Sequence, residues 1–262
     1  MRERIIVSMT SYPARIQNVP ISIFALTKKQ TLPPDEIHLW LAIPQFPRKE
    51  ADLPEALVAM EKAGIVQIHW LEQNTYVHKR HEIFKIVNDG CVFLIDDDVI
   101  YHDNLIKSIM DVHAKRPDAI VCYNRYPKHK YSGRHILYED IAPVGGPFVN
   151  IYRWCGQSMI PVNIYPKEIL DDEHQKIRNQ TSPISDECWF QPWVVLHNIP
   201  IFYCSYDWGT DISKNTGKDS GLVSWSHALD NNGFEKRDNW LYATVHAFKE
   251  LAEKYKRTFN YD

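Results

Sequence analysis

Cys91-Val92-Phe93-Leu94-Ile95-Asp96-Asp97-Asp98-Val99-Ile100-Tyr101 is the stretch on which the reading of this chain turns. Five consecutive apolar residues read as a buried strand, and that strand ends in three carboxylates. Three negative charges at one point are costly unless something positive stands beside them. A divalent cation with oxygen ligands, itself carrying a phosphorylated substrate, meets that need. The competing reading is a helix N-terminus, where Asp is favoured as a cap and by the helix dipole. One Asp fits that reading well; three after five apolar residues fit it poorly.

Working back towards the start, Arg4 to Met9 is a first buried run that ends in the polar turn Thr10-Ser11-Tyr12-Pro13-Ala14-Arg15. A helix over Val19 to Lys29 is stopped by Thr31-Leu32-Pro33-Pro34. Glu36 to Leu41 is a second strand, Pro54 to Ala63 a short helix ended by Gly64, and Ile65 to Trp70 a third strand. His78 to Val87 has helical periodicity, and Asn88-Asp89-Gly90 turns the chain into Cys91. This alternation predicts an α/β fold with a mostly parallel, doubly wound sheet flanked by helices. Ligands bind such sheets beyond the C-terminal strand ends, so Thr10-Ser11-Tyr12 and Asp96-Asp97-Asp98 are expected on one edge.

Beyond the aspartates, Asn104 to Lys115 reads as a helix and Ala119 to Tyr123 as a strand, followed by a basic, aromatic stretch from Asn124 to Arg134. Gly156 to Pro161 is a strand entry started by glycine, Pro166 to Asp171 begins a short helix, and Ser185 caps a helix opening Asp186-Glu187-Cys188-Trp189. Ile199 to Cys204 is a last strand. Asp207 to Asn239 is long, polar and rich in Gly, Ser, Asp and Asn, which reads as a lid or binding loop. Leu241, Val245, Phe248, Ala252 and Tyr255 recur at helical spacing in a terminal amphipathic helix. Its apolar face serves either the core or, with Lys254, Lys256 and Arg257, a membrane surface.

The 262 residues carry a formal net charge of -3, so there is no basic field for a nucleic-acid backbone. The five cysteines never form Cys-x-x-Cys and sit in apolar surroundings, which reads as reduced, buried residues rather than zinc ligands or disulfides. The apolar run after Met1 is too brief for a signal peptide, and no segment has the length of a membrane span. The expectation is a cytoplasmic protein, with peripheral contact at the inner membrane face left open.

With its early strand, Thr-x-Tyr-Pro turn, β/α alternation and Asp-Asp-Asp strand end, the chain resembles GT-A glycosyltransferases. More narrowly it is similar to bacterial enzymes of surface-polysaccharide synthesis (capsule or lipopolysaccharide). Cys155-Gly156-Gln157-Ser158-Met159-Ile160-Pro161 and Ser185-Asp186-Glu187-Cys188-Trp189-Phe190 match the later motifs of that family. The resemblance implies a metal-dependent hexosyltransferase using a nucleotide diphosphate sugar, UDP-linked by default, with Mn²⁺ or Mg²⁺ as cofactor and a glycan or lipid-linked saccharide as acceptor. It implies one catalytic domain over residues 1–262, with a nucleotide-sugar half at 1–123, an acceptor side at 124–206, a lid at 207–239 and the terminal helix at 240–262.

The same resemblance assigns the site. Asp98 is the direct metal ligand, with His227 as a last ligand, and Asp96 contacts ribose or donor sugar with Asp97 grouped beside it. Thr10, Tyr12 and Arg15 line the nucleotide, Lys79 reaches the diphosphate or ribose, and Gly156 belongs to the donor-side strand entry. Glu187 is the nominal general base of an inverting transfer and Asp186 its partner, the two being inseparable at this stage. Tyr12 reads equally as a core aromatic, Arg15 and Lys79 as solvated charges, and Asp186-Glu187 as an acidic first helical turn. Two other functions use similar parts. A nucleotidyl- or phosphoryl-transfer enzyme shares the metal and carboxylates, but no glycine precedes Gly64 to build a phosphate loop. A non-catalytic carbohydrate-binding relative would not need both acidic pairs.

Overall fold

The computed structural model of the protein describes residues 2–123, 147–148, 158–204, 209–211, 240, 243–244 and 246–256. Its strands are Ile5–Thr10 (β1), Glu36–Ala42 (β2), Gln67–Leu71 (β3), Cys91–Ile95 (β4), Val99–Tyr101 (β5), Ile120–Tyr123 (β6), Pro147–Phe148 (β7), Ser158–Pro161 (β8), Ile201–Cys204 (β9) and Gly209–Asp211 (β10). The α-helices are Val19–Phe24 (α1), Glu55–Lys62 (α2), Leu105–His113 (α3), Asp172–Thr181 (α4), Asp186–Leu196 (α5) and Lys249–Lys254 (α6).

Eight strands form one sheet in the order β3-β2-β1-β4-β8-β6-β9-β7. The first four run parallel, with β1 in register against β4 from Ile5↔Cys91 to Met9↔Ile95. β8 is antiparallel to both β4 and β6, while β6 and β9 share a direction and β7 opposes β9. Six of the eight strands therefore point the same way, as the alternation predicts.

Strand periodicity splits the core into two layers. Ile5, Val7, Met9, Cys91, Phe93 and Ile95 face one layer, against Val19 and Ile23 of α1 and Leu105, Ile106 and Ile109 of α3. Ile6, Val92 and Leu94 face the other, with Trp189, Phe190 and Trp193 of α5. Burial on both faces is why β4 is a continuous apolar run, and β1 one broken only by Ser8 before its terminal Thr10, rather than alternating ones. Removing a large side chain there, such as Phe93, costs about 3–5 kcal/mol.

Several expectations change in detail. The helix over Val19 to Lys29 is α1 followed by a π-helical turn at Ala25–Lys29. The periodic stretch at His78 to Val87 is a 3-10 helix, Tyr76–Lys85, not an α-helix. Ser8 Oγ donates to the Arg80 carbonyl at 2.7 Å, anchoring the run to β1, and the threefold turn aligns His78 with His81 on one side. Lys167–Leu170 is a short 3-10 turn, and the α-helix behind it is α4. Gly209–Asp211, within the expected lid, is a strand that pairs with β5. The remainder of the lid lies outside the described residues, as do 124–134. Around the terminal helix, Phe248 packs on Trp189 and Trp193 at ring distances of 5.2 and 4.8 Å, and Ala252 is also buried. Of the apolar face offered to a membrane, Phe248 and Ala252 thus meet the core.

Candidate active site

β1 and β4 deliver their C-terminal ends side by side, so the turn after Thr10 faces the three aspartates. Tyr12 O accepts from Arg15 N (2.9 Å) and Ile16 N (3.0 Å), a tight turn that swings Arg15 back over the acids. Arg15 Nη1 donates to Asp98 Oδ2 at 2.7 Å and Nη2 donates to Asp97 Oδ1. Its guanidinium lies 5.4 Å from the Tyr12 ring centroid. Burial disfavours the charge on Arg15, but Asp97 and Asp98 outweigh it and hold the group protonated. Arg15 is thus a buried clamp, not a solvated charge.

Asp97 is fully buried, and Ser11 Oγ donates to its other oxygen at 2.5 Å. Its backbone is held too, because Ser22 Oγ of α1 donates to the carbonyls of Asp97 (3.0 Å) and Val99 (3.1 Å). Both oxygens of the Asp97 carboxylate are thus engaged within the protein. Asp96 and Asp98, on either side, keep side-chain exposures of 30% and 12%. Tyr101 of β5 receives the Asp96 N–H on its hydroxyl at 2.8 Å, closing the loop beneath the acids.

The second clamp is Arg80. It is buried, and Nη1 donates to Asp96 Oδ1 at 2.9 Å. Nε and Nη2 donate to Asp186 Oδ2 at 2.7 and 2.5 Å. Burial alone would raise the Asp186 carboxyl; Arg80 and the nearby His81 overcome it and push its proton affinity well below the usual range. Asp96 goes the other way. Burial raises it more than Arg80 and Arg15 lower it, and Asp97 and Asp186 add to the rise. Asp186 and Glu187 open α5, where the Cys188 N–H donates to Ser185 Oγ at 3.3 Å, the cap expected from the sequence. Both carboxylates are buried, with Glu187 8% exposed.

Around Arg80, the 3-10 run directs its neighbours in different directions. His78 Nε2 donates to Ser182 O at 2.9 Å, and burial lowers its pKa to about 3. His81 Nδ1 lies 3.1 Å from the Tyr165 hydroxyl. Lys79 is 2% exposed, yet among the described residues its ammonium donates only to the amide oxygens of Gln45 and Asn74, both at 3.1 Å. Burial brings it down to about 8 against the pull of Asp97. Gln45 and Asn74 follow β2 and β3, so Lys79 floors a notch along the same sheet edge. Thr10 Oγ1 donates to Trp40 O at 2.8 Å and is tied to that edge.

Of the residues singled out in the sequence, Arg15, Asp96, Asp97, Asp98 and Asp186 come together, with Thr10, Tyr12 and Lys79 beside them and Glu187 next to Asp186 at the start of α5. Gly156 and His227 lie outside the described residues. Among the basic residues Lys79, Arg80 and His81, the sequence reading chose Lys79 and passed over Arg80, and it gave Ser11 and Ser22 no role of their own. The signal for Arg80 was present: two acidic clusters need cations, and His78-Lys79-Arg80-His81 precedes the acidic strand.

The charge premise needs one correction, since two arginines already neutralise much of the acidic loop. Asp96 and Asp98 still present hard oxygen donors to the surface. Among the described residues no third Asp, Glu, His or Cys joins them closely enough to complete a cation site. A Mg²⁺ or Mn²⁺ taking the rest of its oxygens from a bound diphosphate fits that donor set.

No protein-family profile matches the sequence, and no curated protein matches it. Among solved structures, residues 1–349 of Staphylococcus aureus TarS superpose with a TM-score of 0.50 at 12% identity, covering 96% of this chain and 73% of that one. TarS 1–349 in complex with UDP-GlcNAc gives 0.46 at 13% identity, covering 96% and 74%. The fold is GT-A-like, a mixed, mostly parallel sheet between helical layers. Among the described residues no helix is long and apolar enough to cross a membrane.

Proposed function

We propose that this chain transfers a sugar from a nucleotide diphosphate sugar, UDP-linked by default, to a glycan or lipid-linked acceptor in bacterial surface-polysaccharide synthesis. The observation that carries the reading is Arg80, which bridges Asp96, in the expected donor site, to Asp186 at the expected catalytic helix. A cation shared between two acidic motifs from different halves of the chain supports reading them as one composite site.

Mn²⁺ or Mg²⁺ held by Asp98, with His227 as a further ligand, would supply Lewis-acid stabilisation of the departing diphosphate. Asp96 orients the ribose or donor sugar, while Asp97 anchors the loop through Arg15 and Ser11. Lys79 offers a poorly compensated ammonium to the donor's oxygens, and Thr10 and Tyr12 line the edge with Gly156 near the strand entry. Inversion requires one base to take the acceptor hydroxyl proton, with a proton affinity near the working pH. Asp186 is unsuited, because Arg80 holds its charged form too firmly. Glu187 is therefore the base and Asp186 its fixed neighbour.

The test is donor binding and transfer with a panel of nucleotide sugars, with and without Mn²⁺. Asp98→Ala is expected to remove the Mn²⁺-dependent thermal shift. Glu187→Gln should keep donor binding and lose about 10²–10⁴-fold in transfer. If no nucleotide sugar binds with either ion, the reading is wrong. Normal turnover by Glu187→Gln would reassign the base.

A further inference from the structure

The opposite, N-terminal end of the sheet gathers ligating side chains that sugar transfer does not use. Glu3 precedes β1, Cys91 begins β4, and His113 ends α3. One ligand atom from each lies within 4.8 Å of the other two. We propose that Glu3, Cys91 and His113 bind a borderline divalent cation of the Zn²⁺ or Co²⁺ type, with water in the fourth position.

The backbone fixes this meeting. Gly90 has φ +91°, and a Cβ there would stand 2.7 Å from Arg4 O, so the start of β4 is pressed against the N-terminal segment as only glycine allows. Cys91 N then donates to Arg4 O at 2.8 Å, which holds the thiol one residue from Glu3. His113 comes from the third element, its Nε2 2.8 Å from Glu3 Oε2. The imidazole is 3% exposed, and its Nδ1 has no hydrogen-bond partner among the described residues. Glu3 is its polar contact, and no second partner pins the ring against a shift onto a metal.

Charge and donor type select the ion. A cysteine coordinates a metal as its thiolate, so the Cys91 thiol must give up its proton. Binding must displace that proton: the S–H bond breaks, a sulfur–metal bond forms, and H⁺ leaves to solvent. Thiolate and carboxylate then balance the two positive charges, and neutral imidazole adds none. A neutral complex is what a largely buried site tolerates. Glu3, with its side chain 46% exposed, gives the ion a way in. Sulfur and imidazole nitrogen favour Zn²⁺ or Co²⁺ over Mg²⁺ or Mn²⁺, so this end differs in ion type from the oxygen-only Asp96–Asp98 edge. The lack of a Cys-x-x-Cys pair turned the sequence reading away from such a site, because its ligands come from three separate elements.

Titrating the metal-free full-length chain with Co²⁺ tests this independently of sugar transfer. One equivalent should produce a thiolate-to-cobalt charge-transfer band and the visible d–d bands of a four-coordinate ion. Cys91→Ser should abolish the charge-transfer band. Asp98→Asn should leave it intact, separating this site from the acidic edge. Glu3→Gln, isosteric and at a side chain 46% exposed, should weaken binding at least as much as losing an outer-sphere partner, about 10–100-fold. A wild-type chain with no charge-transfer band overturns the proposal whether or not the variants fold. So does a band that survives in Cys91→Ser, or unchanged affinity in Glu3→Gln.

Discussion

The two ends of the central strands carry the same chemical pair, arginine with carboxylate, in opposite surroundings. At the N-terminal end, Arg4 meets Glu36 through two hydrogen bonds of 2.6 and 2.7 Å, and Asp89 at 3.2 Å. Its side chain is 39% exposed. At the C-terminal end the Arg15 and Arg80 side chains are 6% and 3% exposed. Exposed pairs of the first kind contribute little, typically 0.2–1 kcal/mol. Buried pairs of the second kind are expensive to desolvate and are often matched by plain apolar packing. Stability therefore gives little reason to bury two arginines and four acids at one sheet edge. An electrostatic frame that must accept a charged substrate gives a good one.

Arg80→Met is the change that breaks this contrast most severely. It leaves Asp186 buried without its main counter-charge and Asp96 without its guanidinium, at a cost of about 3–5 kcal/mol. The depressed carboxyl of Asp186 adds a pH signature. A folded-state value below the ordinary 3.8 contributes stability that is present above that value and lost as pH falls through the folded one. Denaturant melts should show the variant destabilised at neutral pH, with the gap narrowing in acid as Asp186 is protonated. A variant as stable as wild type at neutral pH would place Arg80 in the ordinary class of ion pairs.

Ser22→Ala comes next and probes how the acidic loop is held without touching its charges. The hydroxyl supports two backbone carbonyls from α1, and a buried acceptor left unsatisfied costs about 1–3 kcal/mol. The loss should appear both in melting and as weaker donor binding, because Asp96 and Asp98 lose their backing. Intact donor affinity alongside lower stability would show that α1 supports the fold and not the site.

How far such features could be read from the sequence depends on their range. β1 and β4 were legible because burial on both faces makes their runs almost wholly apolar. Their shared edge followed from the βα alternation, and Ser185 could be recognised as a cap from position alone. α4 was missed because Asp172–Thr181 offers Ile177 as its one apolar residue, and β10 because three residues cannot establish a period. Arg15 was read as lining the nucleotide, with a solvated charge as the alternative, because nothing local signals that a proline-containing turn folds it onto acids from a distant strand. Arg80 was passed over for Lys79, its neighbour in a cationic run, since choosing between them requires knowing which way a 3-10 turn points each side chain.

Lys79 sharpens the comparison from within the C-terminal edge, where it is a buried cation with amide oxygens instead of carboxylates as its hydrogen-bond partners. Donor affinity should therefore fall as pH rises past about 8, where the ammonium loses its proton. It should also fall in the acid range as Asp96, raised above the ordinary carboxylate value, takes one up. Lys79→Met is expected to remove the alkaline limb and weaken donor binding roughly tenfold, the low end of a hydrogen bond to a charged group. Calorimetric titration across pH checks both limbs. An alkaline limb that persists in Lys79→Met would assign it to another group.

Arg4→Met should have the smallest effect and isolates burial as the variable. The pair is bidentate and its geometry is better than that of many buried ones, so a cost set by geometry alone would rival that of Arg80→Met. The argument from burial gives about 0.2–1 kcal/mol, reduced further because water screens a side chain this exposed. Salt separates the two cases. Raising ionic strength to about 1 M shortens the screening length to roughly 3 Å and should erase most of the Arg4→Met deficit. The Arg80→Met deficit should persist, since ions do not penetrate to a guanidinium 3% exposed. Paired melts of both variants at low and high salt make the measurement. Equal salt sensitivity would mean that the two ends differ in composition only, and the inference from buried charge to a substrate site would lose its footing.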